Sequence, residues 1–91
     1  MVPAAGGPLA LRVTVTDAWR VVALTLSPQT PVAELKRRAL EGAGIGAARA
    51  GQYEVKVGGA LVRDEGVRLD AAGVPDGAAL VVLPRRRRAV R

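Results

Sequence analysis

The residue types that most often carry chemistry are missing or scattered in this chain of 91 residues. It has no cysteine and no histidine, which excludes a thiolate nucleophile, a disulfide, a structural zinc site and imidazole acid–base catalysis. Asp64, Glu65 and Asp70 are close enough in sequence to suggest a cation site or paired carboxylates. Their turn-rich surroundings favour solvated acids that bond to the turn backbone. We therefore expect no catalytic residue, no cofactor and no metal site.

Gly58-Gly59 could be mistaken for a phosphate-binding loop. Such a loop leads into a helix and carries a lysine followed by serine or threonine, and neither feature follows these glycines. The pair is instead predicted to form a turn between two strands.

Positive charge is concentrated at the end of the sequence. Residues 1–83 carry nine Lys or Arg and eight Asp or Glu, a net charge of +1. Five further positive charges follow without an acid, at Arg85, Arg86, Arg87, Arg88 and Arg91. Three interpretations stay open: weak contact with nucleic acid, contact with an acidic protein or lipid headgroups, or a solvated, disordered end. The nucleic-acid interpretation lacks an aromatic platform on which bases could stack.

Trp19 is the chain's single tryptophan and falls in a predicted turn. One interpretation is an exposed anchor for a protein partner, because tryptophan is enriched among the residues that dominate binding energy. The other is that the ring folds back over the hairpin and covers Val21 or the sheet. We favour the second interpretation.

The hydrophobic pattern begins with two strands. Apolar residues alternate with other side chains along residues 11–15 and 21–26, and a reversal at residues 17–20 separates them. This pattern predicts a β-hairpin. The side chains expected to face the core are Leu11, Val13, Val15, Val22, Leu24 and Leu26.

One helix is predicted after the second strand. Thr30 can cap it, and Pro31 can take its first position, where the missing N–H of proline is tolerated. Glu34 and Arg38 have the i,i+4 spacing of an ion pair, and the glycines of Gly42-Ala43-Gly44 mark the helix end. We assign Val32, Leu35 and Ala39 to the core face, and Lys36, Arg37, Arg38 and Glu41 mostly to the solvent face.

Three shorter strands complete the pattern, at residues 53–57, 61–62 and 80–83. Gly77, before the last of them, is expected to adopt a positive φ. The order β-β-α-β-β-β predicts an α+β fold in which a mixed sheet of four or five strands packs on one helix. The first and last strands are expected to be central, parallel neighbours, with the helix as their crossover.

Three segments of the sequence together resemble ubiquitin-like β-grasp proteins. Residues 24–36 (LTLSPQTPVAELK) resemble the passage from the second strand into the helix. Residues 57–61 (VGGAL) resemble the turn after the third strand, and residues 64–80 (DEGVRLDAAGVPDGAAL) the stretch that leads into the last strand. The resemblance covers about residues 9–84 and implies the ubiquitin-like β-grasp fold.

Within that superfamily, residues 69–85 are most similar to the bacterial YukD-like branch. Its members include a ubiquitin-like domain of a membrane subunit of actinobacterial type VII secretion systems. The resemblance implies a non-catalytic protein-interaction or adaptor module, such as an assembly component of a secretion system. Ubiquitin-like proteins that become covalently attached to other proteins end in Gly-Gly. No glycine follows Gly77 in this chain, so we predict that it is not conjugated. A modifier or sulfur carrier with unusual processing, and a basic nucleic-acid or acidic-surface binder, are the alternatives.

We expect a flexible lead-in at residues 1–8, the domain at residues 9–84 and a basic, disordered tail at residues 85–91. No signal peptide and no apolar run of membrane-spanning length is evident, so a cytoplasmic location is expected. Arginine outnumbers lysine twelve to two, which fits a bacterium with a GC-rich genome.

The partner is expected to be a protein. Glu54 and Lys56 should occupy the outer sheet face where ubiquitin has an apolar patch, while Val81 and Leu83 could keep a fragment of it. The residues predicted to bind the partner are Trp19, Val81, Leu83, Arg85, Arg86, Arg87 and Arg88.

Overall fold

The computed structural model describes residues 7–85 and shows a five-stranded mixed sheet packed on one α-helix. The strands are β1 (Leu9–Val15), β2 (Arg20–Leu26), β3 (Tyr53–Val57), β4 (Ala60–Leu61) and β5 (Ala79–Pro84), and the helix is α1 (Val32–Gly42). Short 3₁₀ helices at Thr16–Ala18 and Ala47–Gln52 precede β2 and β3. The predicted order of strands and helix is confirmed. Within the described residues, no helix has the length and apolar character needed to cross a membrane.

The strands lie side by side in the order β2-β1-β5-β3-β4. The central pair, β1 and β5, is parallel, with Arg12 opposite Ala79 and Val15 opposite Val82. All other neighbouring strands are antiparallel. The predicted central parallel pair is therefore confirmed, and the intervening chain with α1 provides the long connection that parallel strands require.

The core lies between one face of the sheet and α1. It is built from aliphatic side chains with a single aromatic residue, Tyr53, because the chain contains no phenylalanine. Burying one such leucine or valine stabilises the fold by about 1.5–3 kcal/mol. The largest fully buried side chains are Leu35, Leu40, Leu69, Leu80, Val13, Val15, Val32, Val55 and Val82.

The start of α1 differs from the expectation for Thr30. Pro31 occupies the N-cap position with an extended backbone, and no side chain caps the helix. The amides of Val32 and Ala33 instead donate to backbone carbonyls within residues 65–67, at 2.9 and 2.8 Å. The predicted threonine cap is wrong because a neighbouring chain segment already satisfies these helix-terminal donors.

Glycine is required at two places near the sheet. Gly58 and Gly59 adopt φ of 58° and 83° and form the turn between β3 and β4, as predicted. Two successive positive φ values are typical of the tight hairpin turn that glycine favours. At Gly42, the last residue of α1, a β carbon would lie 2.6 Å from Cγ1 of Val22. The missing side chain thus lets the end of α1 approach β2.

Candidate interaction surface

The acidic residues singled out in the sequence have separate partners. Asp64 accepts a hydrogen bond from the backbone amide of Gly66 at 2.9 Å, as expected for an acid in a turn. Asp70 forms a 3.1 Å ion pair with Arg68. In the part of the chain that the structure describes, no group of three or more potential ligands could hold a metal ion.

Lys36 contradicts the expectation that it faces solvent. It is 3% exposed, and its Nζ donates to the backbone carbonyl of Tyr53 at 2.9 Å. The same nitrogen lies 2.6 Å from Oε1 of Glu65. An ammonium ion is stable in such a buried position because a carboxylate and a carbonyl replace its water shell.

The helix explains why Lys36 is buried. Lys36 lies four residues after Val32 and four residues before Leu40, and the side chains of both are fully buried. Residues spaced by four share one face of a helix, so the alkyl chain of Lys36 enters the core and only its ammonium needs polar partners. The spacing was visible in the sequence, whereas the partner Glu65 was not.

Arg85 is part of the folded domain. Its amide donates to the carbonyl of Gln52 at 2.8 Å and its Nε to the carbonyl of Gly51 at 3.0 Å. Its side chain also lies 3.7 Å from Oε2 of Glu65. The expected tail therefore cannot begin at Arg85. The other predicted tail contacts, Arg86, Arg87 and Arg88, lie outside the described residues.

Trp19 is 89% exposed, so the interpretation in which its ring folds back over the hairpin is wrong. The residue ends the 3₁₀ turn Thr16–Ala18 in the left-handed conformation, with φ of 52° and ψ of 41°. Its amide donates to the carbonyl of Thr16 at 3.2 Å, which closes the turn. Among the described residues, it is the only one other than glycine with a positive φ.

A side-chain hydrogen bond anchors this turn to the sheet. The hydroxyl of Tyr53, at the start of β3, donates to Oδ2 of Asp17 at 2.7 Å. The pKa of Tyr53 is raised, first by this hydrogen bond, then by burial and by the negative charge of Asp17. The sequence did not indicate this bond, because its two residues are 36 positions apart.

The sheet face opposite α1 brings apolar residues beside the turn. In one row across four strands, Val21 lies opposite Thr14, Thr14 opposite Val81, and Val81 opposite Lys56. Val21 is 63% exposed, and Val81 is partly buried. The turn that carries Trp19 packs beside β5. We define the outer-face patch as Trp19, Val21, Val81 and Leu83.

The predicted partner-binding residues are thus placed as follows. Val81 and Leu83 lie on the outer sheet face, and Trp19 ends the turn that packs beside β5. Arg85 follows β5 and contacts residues 51–52. Val21 was missed as a candidate, although its alternation with core residues of β2 marked it as outward-facing.

Comparisons with known proteins agree on the fold. No family profile matches the sequence, and no curated protein matches it. A de novo designed protein based on ubiquitin is 19% identical, with a TM-score of 0.75 over 93% of this chain and 98% of that chain. Caldiarchaeum subterraneum ubiquitin is 15% identical, with a TM-score of 0.72 over 91% of this chain and 100% of that chain.

The ubiquitin-like domain of an Arabidopsis thaliana protein is 16% identical, with a TM-score of 0.72 over 98% of this chain and 90% of that chain. Together these likenesses confirm the predicted fold class, an α+β ubiquitin-like β-grasp with one main helix on a mixed five-stranded sheet. At these identities the likeness concerns the fold, so function must be argued from the surface.

Proposed function

We propose that this chain is a non-catalytic ubiquitin-like interaction module that holds a protein partner without covalent attachment, through the outer-face patch. The observation that carries the proposal is the position of Trp19. A large aromatic side chain is 89% exposed to solvent, on a turn that a hydrogen bond from Tyr53 to Asp17 holds in place.

Fold stability does not account for that arrangement. A left-handed backbone costs about 1–2 kcal/mol for a residue with a β carbon, and glycine would avoid this cost. An exposed tryptophan also gains little from burial. Tryptophan does contribute strongly where a partner covers it, because it brings a large contact area with few rotatable bonds. Partner binding is therefore the role that accounts for Trp19.

The charges around the patch indicate the chemistry of the partner. Arg12 and Lys56 lie on the same sheet face as Val81, and Glu54 is the acidic residue opposite Leu83. The surrounding charge is therefore positive on balance. We infer a partner segment with apolar side chains for the patch and carboxylates for the flanking cations. Contacts from the arginines at 85–88 would add to this electrostatic attraction.

The finer assignment rests on the resemblance of residues 69–85 to the YukD-like branch. On that basis the module acts in the cytoplasm of a bacterium, as an adaptor or assembly component of a secretion system. This part of the proposal depends on the sequence resemblance, whereas the interaction surface depends on the geometry of Trp19.

The test is quantitative co-purification from cells that make the protein. Wild type is compared with Trp19→Ser and Val81→Ser, and with the control Arg37→Ala, whose side chain is exposed on α1. We expect enriched proteins whose recovery falls at least about tenfold in both patch variants and stays unchanged in the control. Recovery that is equal for all four proteins would contradict the proposal.

Intact-mass measurement of the same material separates binding from attachment. Non-covalent association predicts that the chain keeps its own mass after denaturation. A covalent adduct with another protein would overturn this part of the proposal and favour the modifier alternative.

A further inference from the structure

The free edge of β2 carries a second inference. It rests on backbone groups of β2, and it shares only Val21 with the outer-face patch. Within residues 7–85, no strand lies beyond β2 on this side of the sheet. The opposite edge is β4, which is two residues long, whereas β2 has seven. A long open edge is a template for another strand, and a very short one is not.

The hydrogen-bond pattern identifies which groups face outward. The backbone amide of Arg12 donates to the carbonyl of Ala78 at 3.0 Å, and the carbonyl of Ala10 accepts from the amide of Gly77 at 2.7 Å. The even-numbered residues of β1 thus bond toward β5. Because backbone groups alternate along a strand, the odd-numbered residues of β1 bond toward β2.

The register then assigns β2. Leu11 lies opposite Leu24, and Val13 lies opposite Val22, so the even-numbered residues of β2 bond to β1. The backbone N–H and C=O groups of the odd-numbered residues face the open edge. These residues are Val21, Ala23 and Thr25, and all three side chains are exposed.

In the part of the chain that the structure describes, this edge lacks proline, lysine and a bulge, which are features that usually protect a sheet edge. Residues 20–26 contain no proline and no lysine, and their pairing with β1 runs without a bulge from Leu9–Leu26 to Val15–Arg20. Arg20, at the very start, is the sole charged residue of the strand. The edge is therefore suited to pairing with a further strand.

We propose that the occupant of this edge is a second copy of the chain, paired antiparallel through β2 about a two-fold axis at Ala23. In this register Ala23 faces its own equivalent, and Val21 faces Thr25 of the partner copy. The three pairs exchange about six backbone hydrogen bonds. Alanine leaves the axis uncrowded, and valine and threonine are β-branched residues of nearly equal shape, so the segment is complementary to itself.

The same geometry limits assembly to a dimer. Pairing consumes the β2 edge of both copies, and β4 is too short to propagate the sheet. The result is a closed two-fold dimer with one continuous ten-stranded sheet. The two β5 strands are about 24 Å apart, at roughly 4.8 Å per strand, so the two copies of Arg85 that follow them repel weakly in physiological salt.

Sedimentation velocity of the full chain, from about 1 to 500 μM, tests the proposal. We expect a concentration-dependent dimer for wild type and for Trp19→Ser, which alters the outer-face patch and leaves the edge intact. Ala23→Pro removes a donor that faces the open edge, so it should keep the fold by circular dichroism and lower the association constant at least about tenfold.

A charge-swap pair makes the test specific for the two-fold axis. Ala23→Lys and Ala23→Glu should each be monomeric alone, because like charges would face each other, and an equal mixture should form the heterodimer. A monomeric wild type at 500 μM, or a dimer unaffected by the substitutions at Ala23, would overturn the proposal. A monomer that pairs its β2 edge with an unrelated extended peptide would overturn the assignment of a second copy as occupant.

Discussion

Lys36 and Trp19 are both unusual for the places they occupy: a lysine inside the core and a tryptophan in water. Lys36 is 3% exposed and has two polar partners, whereas Trp19 is 89% exposed and belongs to an anchored turn. In the described residues, every buried side-chain nitrogen or oxygen has a hydrogen-bond partner. Under the proposed function, the helix side of the sheet serves stability and the outer side serves contact with a partner. Substitutions on the two sides should therefore affect different measurements.

The largest effect is expected at Lys36. Lys36→Ala leaves the carboxylate of Glu65 and the carbonyl of Tyr53 without their shared ammonium. Removing one partner of a buried pair typically lowers the free energy of unfolding by about 3–5 kcal/mol. Because Glu65 keeps 17% side-chain exposure and a nearby Arg85, we expect the lower end of this range. Urea denaturation followed by circular dichroism measures it.

The matched control is Lys56→Ala, which removes the chain's other lysine from the outer face. We expect a change below about 1 kcal/mol for this variant. Equal losses at the two lysines would remove the distinction between the inner and outer sides of the sheet.

The next effect is expected at Tyr53. Tyr53→Phe removes the hydrogen bond to Asp17 and should lower the free energy of unfolding by about 1 kcal/mol at neutral pH. It should also loosen the turn of Trp19, so partner binding should weaken as well. A variant that loses stability but binds as tightly as wild type would show that the turn needs no anchor.

The difference in free energy of unfolding between wild type and Tyr53→Phe should depend on pH with a definite sign. The pKa of Tyr53 is raised in the folded state, so the unfolded chain loses the tyrosine proton first as pH rises. The stabilisation is complete below the ordinary tyrosine pKa of about 10 and declines as pH rises through the folded value. Urea denaturation of wild type and Tyr53→Phe between about pH 8 and 11 should therefore show converging stabilities. A gap that widens with pH would contradict this assignment.

Trp19 should respond in the opposite direction. Trp19→Gly relieves the left-handed backbone and should raise the free energy of unfolding by up to about 1 kcal/mol, while it abolishes partner binding. Trp19→Ala is the matched control, because it removes the ring and keeps the strained backbone. Thermal unfolding should show a gain for glycine alone. Equal midpoints for the two variants would mean that the turn stores no strain.

The smallest effect is expected on the exposed side of α1. Glu34 forms ion pairs with Arg38 at 2.9 Å and Arg37 at 3.6 Å. Glu34→Gln should lower the free energy of unfolding by about 0.3–0.5 kcal/mol, and about 1 M NaCl should cancel most of the difference. Glu41→Gln, near the negative end of the helix dipole, should cause no loss. If the stability difference between wild type and Glu34→Gln is as large with NaCl as without it, charge screening does not control these ion pairs.

The sequence was informative where structure depends on neighbouring residues. Alternating side chains predicted the strands of the first hairpin and the strand that begins at Tyr53. The glycines at 58–59 predicted the turn between β3 and β4. These patterns suffice because side-chain direction in a strand repeats every two residues. The i,i+4 pair of Glu34 and Arg38 was predicted for a similar reason and is confirmed at 2.9 Å.

Contacts between distant segments could not be predicted in the same way. Burial of Lys36 depends on Glu65, and the position of Trp19 depends on how the turn bonds to Tyr53. Both contacts exist only after the sheet and helix have assembled. The outward direction of Trp19 also depends on its left-handed φ, which residue type alone would not suggest for tryptophan.

The exposed position of Trp19 has a spectroscopic consequence. It is the chain's single tryptophan, and its indole is surrounded by water in the folded protein, as it would be in the unfolded chain. Tryptophan emission should therefore change little when the domain unfolds. A partner that covers the ring should shift the emission to shorter wavelength. The protein thus carries an optical reporter that responds to events at its surface and is nearly insensitive to the state of its core.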